Sequence, residues 1–113
     1  MTDINAEAEK SLSKTNYRLL YCLPKENAKF PCVTFFNITE RPQMKYDNEE
    51  RIQRGWIQVD IWAEEPSVCG EMLIKVNEVL TSDGWHREMS GDMPDESGIY
   101  RKVTRYAQDF NLD

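Results

Sequence analysis

From Arg54 to Ala63 the chain alternates, with Ile57, Val59, Ile61 and Ala63 on one side and Trp56, Gln58, Asp60 and Trp62 on the other. Successive side chains of an extended strand point to opposite faces, so this period of two predicts a strand whose aliphatic face looks into a core. Glu64, Glu65 and Pro66 stop it, and the spacing then changes. Val68, Cys69, Met72, Leu73, Val76, Val79 and Leu80 fall within an arc of about 140° on a helical wheel, with Ile74 off the stripe. Pro66 or Ser67 can open that helix, and Gly84 is placed to close it.

The neighbouring segments complete a small set of elements. Phe30 to Ile38, "FPCVTFFNI", is rich in β-formers and tolerates Pro31 only at its start, so it pairs with Arg54 to Ala63. Tyr17 to Pro24 reads as a short extended segment or edge strand. Trp85, Arg87 and Met89 alternate with His86, Glu88 and Ser90 in a third strand. Ile99 to Phe110 makes a fourth, and neither of its faces is cleanly apolar, which predicts a place at a sheet edge or against another subunit. Ile4, Ala8 and Leu12, four residues apart, allow residues 1–16 to dock as a helix or to lie free as an arm.

Residues 40–54 carry four acids and four bases and are long for a hairpin connection, so a projecting hairpin loop is predicted there. The resulting fold is α+β: a four-stranded, mainly antiparallel sheet in the order β-β-α-β-β, packed by one central helix, with an N-terminal helix or arm. At 113 residues the whole chain is expected to form one domain.

Composition narrows the function. Twenty Asp and Glu against fourteen Lys and Arg give a net charge of −6 and a pI near 4.8, which disfavours phosphate-backbone binding, since that rests on clustered cations. Mean hydropathy is −0.69 and no apolar run approaches the ~20 residues of a membrane span, so no membrane role is expected. Residues 1–10 are acidic and polar, unlike a secretory signal, and imply synthesis in the cytoplasm. Cys22, Cys32 and Cys69 are odd in number, widely spaced and without a CxxC pair, the pattern of reduced packed thiols rather than of a disulfide framework.

Candidate chemistry is sparse. His86 is alone, with no Cys or His at ligand spacing, and reads as a partly exposed strand residue rather than a zinc ligand. Cys69 has only that histidine as a base, and no nucleophile-elbow motif is present. Asp60 with Asp47, Glu64 and Glu65 could hold Mg²⁺, but such nucleases generally place a lysine two residues beyond the strand carboxylate, and Trp62 stands there. Glu64 and Glu65 read better as solvated acids at a helix start. Gly55, Gly70, Gly84, Gly91 and Gly98 form no phosphate-binding loop. The sequence therefore predicts neither catalytic residues, nor a metal, nor a cofactor. What is left over is apolar surface: Met44, Tyr46 and Ile52 in the projecting segment, Trp62 on the non-aliphatic side of its strand, and Ile74 off the helical stripe. These five are the candidate contacts to other chains.

Three motifs carry a family resemblance. They are Pro31, Val33, Thr34 and Phe35 in one strand; Val59, Asp60, Ile61 and Trp62 ending the next; and Glu96, Gly98, Tyr100 and Arg101 after the helix. In this order, from about Phe30 to Phe110, the chain resembles the small tail completion proteins of long-tailed bacteriophages, also called tail terminators or tail-to-head joining proteins. The resemblance implies a non-enzymatic phage or prophage structural protein of the virion tail and neck. It implies self-association into a ring, a hexamer, that caps the tail tube and meets the head completion or connector protein, with DNA passing through the lumen unbound. A closed ring needs a head-to-tail contact between subunits. A small ligand-binding or regulatory α+β module is the alternative expectation, and a small enzyme a third.

Overall fold

The computed structural model describes residues 1–46, 49–95 and 97–112, with residues 44–46 described by backbone alone. In chain order the elements are α1 (Ile4–Leu12), β1 (Leu19–Tyr21), β2 (Cys32–Tyr46), β3 (Glu49–Ala63), α2 (Pro66–Ser82), β4 (His86–Asp92) and β5 (Tyr100–Asn111). The strands form one mixed sheet in the order β1-β2-β3-β5-β4, with β1 parallel to β2 and every other pair antiparallel. Both helices pack on one face of it.

The core follows the periodicities. Ile57, Val59 and Ile61 of β3 meet Cys69, Met72, Val76 and Leu80 of α2, with Ile4, Ala8 and Leu12 of α1 in the same cluster. Each buried aliphatic side chain of this kind contributes roughly 1.5–3 kcal/mol. Helix α1 starts where the Asp3 side chain accepts from Ala6 N at 3.1 Å. It lies so close to β3 that a Cβ on Gly55 would sit 2.5 Å from Ile4 Cδ1. Helix α2 begins with Pro66 in its first turn. It ends in a Schellman arrangement: Gly84, at φ +96°, donates to Thr81 O at 3.1 Å, and Trp85 donates to Leu80 O at 2.9 Å. That turn drives Trp85 into the core, edge-on to Phe110 at 5.6 Å.

Three sequence expectations change. The sheet has five strands, not four, because β1 adds a parallel edge; three residues are too few to display a period or an orientation. Strand β5 is interior, between β3 and β4, and the exposed edge is β4, all seven of whose residues are accessible. The projecting segment is paired strand over its described residues, with Glu40 opposite Gly55, Arg41 opposite Arg54 and Tyr46 opposite Glu49. Residues 47 and 48 lie outside the described set. The ribbon has no apolar face to reveal its pairing, since its buried Gln53 is polar and is met by Thr2 and Glu40, and Pro42 sits where β2 has become an outer strand.

Candidate functional site

Among the described residues no helix covers the second face of the sheet, yet its centre is closed to water. Strand alternation and register place Thr34 opposite Asp60, Cys32 opposite Trp62, Trp62 opposite Arg101 and Gln58 opposite Arg105 on that face. Asp60 is only 1% exposed. Its carboxylate accepts from Arg101 Nε at 3.0 Å and from Arg101 Nη2, and Gln58 Nε2 donates to its other oxygen at 3.1 Å. Arg105 Nε donates to Gln58 Oε1 at 3.3 Å, extending the chain of bonds along the face. Trp62 Nε1 donates to Thr34 Oγ1 at 2.9 Å, and the Arg101 guanidinium lies 4.5 Å above the Trp62 ring.

A buried carboxylate is tolerated only when its lone pairs are met: both arginine N–H groups bond Oδ2 and neutralise the charge, and the Gln58 amide meets Oδ1. The group thus ties β2, β3 and β5 together where a second helix layer would otherwise be needed. Further along the same face, the Arg41 and Arg54 guanidinium groups both approach Trp56, at 4.9 and 5.9 Å from the ring centre. Arg54 is also paired with Asp109 through contacts of 2.6 and 3.0 Å, which hold the Asp109 carboxyl below its ordinary range. On the opposite side of the molecule Ile74 is 64% exposed on α2. Glu71 and Glu78, three residues before and four after it, share its helix face.

The five candidate contact residues are not gathered into one patch. Ile74 lies on the helix side, and half-buried Ile52 lies on the ribbon opposite Met44. The backbones of Met44 and Tyr46 are in β2, and their side chains lie outside the described residues. Trp62 is on the helix-free face but only 6% exposed, because Arg101 covers it. Any contact made there meets the arginine first. Of the resemblance motifs, Glu96 also lies outside the described residues. The sequence reading did not single out Gln58, Arg105 or the Arg41–Trp56–Arg54 group, since cross-strand neighbours leave no mark in a single strand's pattern.

The candidates for chemistry fall apart in space. Cys69 is buried under the sheet, its Sγ 3.4 Å from Tyr100 O, and burial pushes its thiol up. His86 lies on β4 opposite Ala107, on the face away from α2. Among the described residues no group of three or more His, Cys, Asp or Glu could hold a metal ion. A cavity of about 530 Å³ opens between the start of α2 and the β4–β5 connection, lined by Pro66, Cys69, Met93, Pro94, Ile99 and Tyr100 among others. No described helix is long and apolar enough to cross a membrane. In comparison with known proteins, the chain matches no family profile and no curated sequence.

Proposed function

We propose that this chain is a phage or prophage structural protein, a tail completion or terminator protein that assembles as a ring, caps the finished tail tube and joins it to the head connector. One observation carries the reading: residues from all three resemblance motifs are bonded to one another. Thr34 comes from the first motif, Asp60 and Trp62 from the second, and Arg101 from the third. They meet as Trp62 to Thr34, Arg101 to Asp60, and Arg101 over Trp62. Residues of the three motifs lie at one level of neighbouring strands, where a shared structural unit would need them. The β2–β3 ribbon supplies an arm for reaching a neighbour, with charges of both signs that select a partner more than they add affinity. The net charge of −6 suits a lumen through which DNA slides without adhering.

In this role the ring is a hexamer at the neck of the virion, made in the host cytoplasm, with the tail tube protein and the head completion protein as its partners. Light scattering and negative-stain images of the purified chain, with and without tail tube protein, test the reading. Rings that bind tube ends and halt elongation are the expected result. A stable monomer at high concentration, even with tube protein present, refutes it.

The cavity beside Cys69 favours a second reading, a small ligand-binding or regulatory module, because its volume lies in the range of small-molecule sites. Screening metabolites by thermal melting separates the two: a specific ligand that raises Tm, together with a monomer or small closed oligomer, would select the module.

A further inference from the structure

The two broad surfaces of the domain carry different charge. The stretches that build the helix side, residues 1–16 and 64–83, hold eight acids and three bases. On α2 the exposed apolar side chain Ile74 stands between Glu71 and Glu78. On the helix-free face, the positions in register across β2, β3 and β5 present Arg41, Arg54, Arg101 and Arg105 against two carboxylates, Asp60 and Asp109. Both of those carboxylates are already paired, to Arg101 and Arg54. Met89, 42% exposed and opposite Arg105, adds an apolar spot to the same face, and beside it in the β4 bulge stands Glu88, whose charge acts on Arg54, so the excess of cations rests on Arg41 and Arg105.

We infer that the helix-free sheet face of one copy docks on the α2 face of the next, with Ile74 and its flanking Glu71 and Glu78 set against Met89 and the arginines. This rests on the ring reading above and names its subunit contact. The occupant is a second copy because the two faces complement each other and neither complements itself. Sheet face against sheet face would oppose arginines, and helix face against helix face would oppose glutamates, so a two-fold dimer through either surface is disfavoured. The faces lie on opposite sides of the domain, so each contact leaves one free face of each kind. That is heterologous geometry, which closes a ring where the rotation between successive copies closes and runs on as a filament where it does not.

The full-length chain tests this with two variants that disturb exposed side chains only. The sheet-face variant Arg41→Glu/Met89→Glu removes no side-chain hydrogen bond or ion pair among the described residues, and the helix-face variant is Ile74→Glu. Thermal melts confirm folding, and sedimentation reads assembly. Wild type should form rings that weaken in ~1 M salt, where screening acts within ~3 Å. Each variant alone should associate at least about tenfold more weakly. An equimolar mixture should give a 1:1 dimer and nothing larger, since it restores one good contact and leaves an acidic face against an acidic face at the other end. If wild type forms rings and either variant alone assembles equally well, or the mixture yields no dimer, this contact is wrong and the ring reading survives. If wild type stays monomeric at every concentration, both fall.

Discussion

Removing the guanidinium from the sheet-face network is the most direct test of how that face is held together. In Arg101→Met the stem of the side chain is kept and the charge is lost. Asp60, 1% exposed, then retains, among the described residues, only the Gln58 amide as a side-chain donor. Breaking a buried ion pair by deleting one partner costs roughly 3–5 kcal/mol, because the remaining charge is stranded. The Arg101 side chain is 18% exposed, so water reaches part of the space it leaves and the lower end applies. Loss of the cation above Trp62 adds about 0.5–1 kcal/mol. The expected total is about 3.5–4 kcal/mol, or a fall in Tm of roughly 14–16 °C at ~4 °C per kcal/mol for a chain of this size. Urea unfolding followed by circular dichroism reads the loss as a lower midpoint at unchanged slope. Asp60→Asn in the Arg101→Met background should recover at least half of it, since the stranded charge is gone. A single variant that loses less than about 1 kcal/mol, or a double variant whose loss equals the sum of the two singles, would refute the claim that this pair holds a buried charge.

Two further outcomes follow from geometry at other places. Gly55→Ala should destabilise by about 1–3 kcal/mol, although replacing a strand glycine ordinarily gains stability, because the new methyl collides with Ile4 and lifts α1; faster amide exchange in α1 would show it, and a stabilised variant would show that the approach is not close. Hydrogen bonds from Lys14 and Ser11 hold the Asp83 carboxyl below its ordinary value of 3.8, so its contribution is present above 3.8 and is lost as pH falls through the lower folded value. Asp83→Asn should therefore flatten the decline in stability on the acid side of 3.8, while costing less than about 1 kcal/mol at neutral pH because the Lys14 pair is solvent-screened; melts in acid that run parallel to wild type would count against it.

Much of this architecture is legible from single-strand and single-helix patterns. The stripe from Val68 to Leu80 and the aliphatic side of Arg54 to Ala63 each face one partner, and burial against one partner imposes a period. The misplacement of β5 has the opposite cause. Its faces look mixed because Arg101 and Arg105 find Asp60 and Gln58 on β3, a match that exists only between strands. The same reasoning covers Trp62, whose expected exposure is cancelled by an arginine some forty residues away. The ribbon from Glu40 to Arg54 hid its strands because it carries no apolar alternation: its buried Gln53 is polar and bonded to Thr2 and Glu40. As for the site, Asp60, Trp62, Thr34 and Arg101 were visible as members of three motifs, but their mutual bonding was not. Chain order carries no record of which distant side chains touch.

Strands β2 and β3 run fifteen residues each, which at ~3.3 Å per residue spans about 50 Å, close to the 53 Å long dimension of the molecule. Their inner halves carry Val33, Ile57, Val59 and Ile61 of the core, and their outer halves stand clear of it. Mechanically this is a cantilever rooted in the middle of the domain, with a register irregularity between Asn37 and Thr39 where beam meets footing. A neighbour that grips the outer half pulls on the same two backbones that seat α1, α2 and the Asp60 network. Tension at the periphery thus bears on the centre of the fold through that bend.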